Sequence, residues 1–229
     1  MRRINNIFYT LQGEGHNTGR AAAFIRFAGC NLRCSFCDTE FDSYQEMTDA
    51  QILDAISPFP TRFVVLTGGE PTLQVDEAFV DLLHQHGYEV AMESNGTRPA
   101  PQNLDWLTVS PKNWWLADGK GWMENCAHAN EIKIVADEAV LSGSKLSSLR
   151  SSLLASLAKN SQLSARPKGT LRLRRTLNPQ PSSSLLYLQP CDTGDSQRNA
   201  DIISQCVDFI KHHPEWRLSL QTHKLIGIE

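Results

Sequence analysis

Short apolar runs alternate along this chain with stretches whose apolar residues fall at helical spacing. The first clear strand is Ala21 to Phe27, which runs straight into Gly29 and Cys30. Thr48 predicts an N-cap for a helix through Ile52, Leu53 and Ile56, closed by Pro58 and Pro60. Phe63 to Leu66 reads as a strand ending in the turn residues Gly68 and Gly69. From Val75 to His86 the positions Phe79, Leu82 and Leu83 have helical spacing, with Gly87 as the residue that ends the helix. Strands follow at Tyr88 to Met92, Trp106 to Val109, Ile132 to Val135 and Leu185 to Leu188. A helix around Ile202 to Ile210 and a strand near Arg217 to Leu220 close the chain.

This alternation predicts an α/β fold, a parallel sheet with helices outside it. In such sheets chemistry sits where loops leave the carboxyl ends of the strands. Cys30, Thr67-Gly68-Gly69-Glu70, Glu93-Ser94-Asn95 and Ser110-Pro111-Lys112 each follow a predicted strand, and their agreement weighs more than any one of them. Residues 141–183 break the rhythm. Leu146, Leu149, Leu153, Leu154 and Leu157 make an amphipathic helix, and 161–183 reads as a loop with Ser, Pro and basic residues. No internal repeat is visible, and residues 1–229 read as one domain.

Composition narrows the picture only a little. With 229 residues, 41% hydrophobic and 21% charged, the chain has the make-up of a globular protein able to bury a sizeable core. A net charge of −3 gives no drive toward nucleic acid or an acidic membrane surface. Arg166, Lys168, Arg172, Arg174 and Arg175 form a local basic cluster, best read as a solvated face. No apolar segment follows Arg2 and Arg3 as in a signal peptide, and none is long enough to span a bilayer. A cytoplasmic address is expected, with no membrane or direct nucleic-acid contact. Six cysteines in such a chain point to metal or redox chemistry rather than disulfides.

Three of those cysteines, Cys30, Cys34 and Cys37, fall within one short run, Cys-x3-Cys-x2-Cys. Thiolates are soft ligands suited to iron–sulfur clusters, zinc and Cu(I). Structural zinc wants four closed ligands and a ferredoxin cluster four cysteines. Three leave one corner open. On spacing alone a zinc site remains an alternative, completed by Cys126, Cys191, Cys206 or His223; those isolated cysteines read equally as small buried hydrophobes.

The cysteine run, with Phe36 before its last member, resembles the signature of the radical S-adenosylmethionine superfamily. The resemblance implies a partial, incomplete TIM-like barrel of parallel strands with outer helices. It also implies a [4Fe–4S] cluster on Cys30, Cys34 and Cys37, whose open iron chelates S-adenosylmethionine and cleaves it to a 5′-deoxyadenosyl radical. Thr67-Gly68-Gly69-Glu70-Pro71 is similar to the superfamily's glycine-rich segment, expected to grip the methionine amino group. There the glycines allow close backbone approach, and Glu70 offers a carboxylate to the ammonium.

Gln12 and Glu14, in the stretch Ile7 to Gly15, present an amide and a carboxylate suited to the donor–acceptor edge of a pterin or purine. That stretch, with Phe24-Ile25-Arg26 and Cys37-Asp38-Thr39, resembles the 7-carboxy-7-deazaguanine synthase family. The likeness covers residues 4–135 and resumes from Leu186. It implies contraction of 6-carboxy-5,6,7,8-tetrahydropterin with release of ammonia, on the route to queuosine. Leu11, Gln12, Gly13, Glu14, Arg26, Thr67, His223 and Glu229 match substrate-binding positions. Phe36, Cys37, Asp38, Gly69, Ser110, Pro111, Lys112, Gln189, Pro190, Cys191 and Asp192 match positions around S-adenosylmethionine. Thr39 matches a Mg²⁺ ligand, which suits a hard cation that prefers oxygen. The family also implies a homodimer and a reducing partner such as a flavodoxin or ferredoxin.

Two features depart from the family pattern. Residues 141–183 are longer and richer in serine, and Trp114, Trp115 and Trp122 form an unusual aromatic run, suited to a dimer contact, a redox-partner surface or core. Rival readings are another radical enzyme such as a glycyl-radical activase, a non-enzymatic zinc or iron–sulfur module, and a homologue retaining the site in a regulatory role.

Overall fold

The computed structural model describes residues 1–112, 125–142 and 184–228, together with positions 146, 148, 151 and 153. Its strands are β1 (Arg2–Leu11), β2 (Ala21–Phe27), β3 (Gln45–Met47), β4 (Phe63–Gly68), β5 (Glu89–Ser94), β6 (Trp106–Val109), β7 (Glu131–Ala136), β8 (Leu185–Pro190) and β9 (Trp216–Leu218). The helices are α1 (Asp49–Ile56), α2 (Glu77–Gln85), α3 (Glu138–Leu141), α4 (Ser196–His212) and α5 (Thr222–Ile226).

All nine described strands form one sheet in the order β3-β1-β2-β4-β5-β6-β7-β8-β9. From β2 to β9 every neighbouring pair is parallel. This is the expected α/β partial barrel. One edge differs from a purely parallel sheet: β1 runs antiparallel to β2, and β3 antiparallel to β1. The sequence hid β1 because its register shifts between Ile4 and Asn6. A bulge there breaks the two-residue alternation by which a strand is read.

Alternation explains how the sheet makes a site. The outward positions Ile25, Leu66, Met92, Ile132, Ile134 and Leu188 pack in the main core with Ile52 and Ile56 of α1, Phe79 and Leu83 of α2, and Ile202 of α4. Thr48 caps α1 through a reciprocal capping box with Gln51, and Asp76 caps α2. Inward positions begin apolar: Ala22 and Phe24 on β2, Phe63 and Val65 on β4, Ala91 on β5 and Trp106 on β6 form a second, smaller core. Continued by twos along the same strands, they become Arg26, Thr67 and Glu93. On β7 and β8 the alternative to the outward set is Lys133 and Gln189. The inner face is therefore greasy at the amino ends of the strands and polar at the carboxyl ends.

Leu146 and Leu153, two residues of the expected serine-rich helix, are helical and buried in the main core. Its other leucines, the loop 161–183, the basic cluster, Trp114, Trp115, Trp122 and Glu229 lie outside the described residues.

Candidate active site

A cavity of about 430 Å³ opens at the carboxyl ends of the strands, a size in the usual range for small-molecule sites. It is lined by Leu11, Gln12, Gly13 and Glu14 after β1, Arg26 at the end of β2, and Cys30, Cys34, Phe36, Cys37, Asp38 and Thr39 in the loop beyond it. Thr67 and Gly69 line it from β4, Ser110 and Lys112 from the β6 loop, Gln189, Pro190, Cys191 and Asp192 from β8, and His223 from α5. Of the described residues expected at the site, Pro111 and Glu70 stand off the cavity, Pro111 in a small adjoining hollow with Phe36, Lys112 and Cys191. Glu229 is outside the described residues.

The cysteine loop is held at its base rather than by regular structure. Gly29 donates from its backbone to Phe41 O (2.8 Å), and Arg33 pairs with Asp42 (3.1 Å). The Gly68-Gly69 turn packs directly on this base. Gly69 N donates to Phe27 O and Glu70 N to Gly29 O, each at 2.9 Å. A Cβ on Gly69 would lie 2.1 Å from Gly29 O, so only glycine allows the two loops to meet.

Glu70 overturns its expected role. Its side chain is fully buried and is not part of the cavity lining. It accepts from Thr72 Oγ1 (2.6 Å), Ser94 Oγ (2.9 Å) and the backbone of Asn95 (2.7 Å). Such a carboxylate, satisfied within the protein, braces the β4 and β5 loops and is not free for a ligand's ammonium.

The donor set suits an iron–sulfur cluster. Cys30, Cys34 and Cys37 share one cavity wall, and burial raises the Cys34 thiol against the opposing pull of Lys112. No gathered set of three or more His, Cys, Asp or Glu that could hold a single ion occurs among the described residues. Two of the proposed fourth zinc ligands lie away from the cavity: Cys126 and Cys206 are core residues whose thiols burial pushes up to about 12. Cys191 does reach the cavity, but burial, then Asp137 and Asp192, raise its thiol above the usual range.

Opposite in character is a buried charged network that sequence reasoning did not assign. Lys133, only 4% exposed, ion-pairs with Glu14 and lies 3.5 Å from Glu93. Burial works against its ammonium, but Glu14, Glu93 and Glu131 outweigh that and hold it above the usual lysine range. Burial likewise opposes the Glu14 carboxylate; Lys133 prevails and holds it at about 2. Gln12 donates to Glu93 (2.7 Å) and Gln221 to Glu14 (3.0 Å). The available signal was Glu131-Ile132-Lys133-Ile134, charged residues alternating with apolar ones inside a strand. Lys112 is driven below its usual range by burial and by Lys133, while Glu14, Cys34 and Glu93 oppose. It donates to Ser110 Oγ at 2.7 Å.

Helix α5 closes over this end. Thr222 donates from both its backbone (3.0 Å) and its hydroxyl (2.8 Å) to Gly13 O. His223 packs so tightly on Gly13 that a Cβ there would lie 2.2 Å from His223 Nδ1. Lys224 bridges Asp38 (2.7 Å) and Asp192 (3.0 Å). Arg26 lies over the Phe8 ring, 5.0 Å from its centroid, and among the described residues no carboxylate pairs with it.

Residues 24–114 match the model of the radical SAM superfamily. The chain is 39% identical to a 7-carboxy-7-deazaguanine synthase of Bacteroides thetaiotaomicron, over 100% of this chain and 99% of that one. The chain belongs to the 7-carboxy-7-deazaguanine synthase family. A Bradyrhizobium diazoefficiens member is 34% identical, with 98% of each chain covered. In structure, this family member is similar to QueE from Escherichia coli, with a TM-score of 0.67 and 28% identity over 96% of this chain and 93% of that one. As a radical SAM enzyme it calls for a [4Fe–4S] cluster and S-adenosylmethionine.

Proposed function

We propose that this chain is itself a 7-carboxy-7-deazaguanine synthase, contracting 6-carboxy-5,6,7,8-tetrahydropterin to 7-carboxy-7-deazaguanine with loss of ammonia, on the queuosine route. The observation that carries this reading is one cavity holding both the three thiols and the family's pterin-matching residues Gln12, Glu14, Arg26 and His223. When bound, a [4Fe–4S] cluster on Cys30, Cys34 and Cys37 and S-adenosylmethionine supply the radical that takes a substrate hydrogen.

The chain's own part is binding, orientation and exclusion of water. Arg26, braced on Phe8, takes the substrate carboxylate as a bidentate partner. Glu14, held ionised by Lys133, accepts from N–H groups of the pterin edge, beside Leu11, Gln12, Gly13 and Thr67. His223 closes over the ring. Phe36, Cys37, Asp38, Gly69, Ser110, Lys112 and Gln189 to Asp192 would surround S-adenosylmethionine, with Pro111 just beyond the cavity wall. Thr39 would supply an oxygen to Mg²⁺, a hard cation that takes oxygen ligands. We further propose a homodimer in the cytoplasm, reduced by a flavodoxin or ferredoxin. No helix among the described residues is long and apolar enough to cross a membrane.

The test is anaerobic reconstitution, then incubation with the pterin, S-adenosylmethionine, Mg²⁺ and a reductant. The expected result is deazaguanine product, with Thr39→Ala requiring more Mg²⁺. A fully loaded protein that makes no such product refutes the assignment; an unchanged Mg²⁺ titration in Thr39→Ala refutes the metal role.

A further inference from the structure

Asn95 follows β5 directly and is nearly buried. Its side-chain oxygen accepts from Thr97 N (2.9 Å) and Thr97 Oγ1 (2.6 Å). Two donors on one oxygen decide which way an amide points. Nδ2 must therefore face the other way, toward Asn31 Oδ1 (3.0 Å) and Cys30 Sγ (3.9 Å). Asn31 returns the arrangement by donating from Nδ2 to Thr97 Oγ1 (2.8 Å). The three side chains form a closed ring in which each hydrogen bond fixes the next. From below, Glu70 holds the backbone N–H of Asn95 at 2.7 Å. Among the described residues Cys30 Sγ has one other donor, the backbone N–H of Leu32 at 3.4 Å.

We infer that Asn95 is a positioning residue which tunes the cluster through Cys30, raising the potential at which the cluster accepts an electron. The inference rests on the reading that Cys30 is a cluster ligand. The step concerned is a one-electron reduction by an external low-potential protein donor; no bond forms or breaks. The added negative charge spreads onto the sulfurs. An N–H aimed at one of them stabilises the reduced state more than the oxidised one. The contact is long, so the Asn95 amide acts as a directed dipole on the sulfur, while Leu32 supplies the shorter bond. The same geometry gives Glu70 its use: a buried carboxylate that keeps Asn95 in place.

The experiment is a potentiometric titration followed by electron paramagnetic resonance, on reconstituted protein without substrate. Iron and sulfide are counted in each variant. Asn95→Leu keeps the volume and removes the donor. Its cluster should be harder to reduce by roughly tenfold in the equilibrium, about 59 mV for one electron. Thr97→Val leaves Asn95 in place but removes one of the two donors that fix its amide, and should shift the potential the same way by less. A loaded Asn95→Leu protein titrating with the wild type overturns the proposal. Should Asn95→Leu take up no cluster, an unshifted Thr97→Val overturns it instead. Failure to make deazaguanine refutes the substrate assignment and leaves this readout intact. A wild-type chain that holds no cluster overturns both.

Discussion

The two walls of the cavity are built on opposite plans. The cysteine wall is one short loop, local in sequence, whose thiols find few partners within the protein. The Lys133 wall draws on β1, β5, β7 and α5, and its charges already satisfy one another. One wall offers soft donors that the protein leaves largely unpartnered; the other is a frame of charges paired within the protein. Local sites are legible as motifs. Assembled ones become visible only when the fold brings distant strands together.

The sharpest way to break this contrast is to remove the cation at the centre of the frame. Lys133→Met removes the ammonium paired with Glu14 and Glu93. Breaking a buried pair costs about 3–5 kcal/mol, so thermal unfolding should move down by many degrees and substrate binding should fail. A variant with wild-type stability would mean the network is more solvated than the 4% exposure of Lys133 implies. By contrast Cys30→Ala should abolish turnover yet leave the apoprotein's melting temperature within a degree or two.

A second test uses pH. Burial pushes Glu131 up to about 7, with Lys133 opposing. Its proton is held more tightly in the folded chain than in the unfolded one, where it leaves near 4.5. Stability from this group therefore falls as pH rises from about 4.5 to about 7, and levels off above. Glu14 works the other way: held at about 2, it contributes stability above 4.5 that is lost as pH falls toward 2. Glu131→Gln should flatten the fall between 4.5 and 7 in denaturant melts followed across pH. An unchanged slope would assign that dependence to other groups.

The smallest effect is expected where the two walls are joined. Lys224 is partly exposed, and so are Asp38 and Asp192. Pairs of that kind contribute about 0.2–1 kcal/mol each. Lys224→Ala should thus barely change stability, while raising the KM for pterin severalfold as α5 loosens; Lys224→Arg should restore it. Equal KM values in both variants would separate α5 from closure of the site.

Much of the inner face was open to reading by twos, since Ala22, Phe24 and Arg26 already show the change from apolar to polar along β2. Lys133 was equally written, between Ile132 and Ile134, but a charge in an apolar strand says nothing of its partners. Glu14 lies 119 residues away from it. Glu70 misled for a related reason. A carboxylate after two glycines looks available to a ligand, and only its hydrogen bonds to Thr72, Ser94 and Asn95 reveal that it is engaged. The edge strand β1 was hidden by its bulge, and β3 by its three-residue length.

Central to all of this is the proposal that Cys30, Cys34 and Cys37 hold a [4Fe–4S] cluster with one iron free for S-adenosylmethionine. Electron–nuclear double resonance on the reduced, reconstituted protein with ¹⁵N-amino-labelled S-adenosylmethionine addresses it directly. The account predicts a nitrogen coupling strong enough to place the amino group on iron. Identical spectra with and without the labelled compound, from a protein carrying a full cluster, would contradict it.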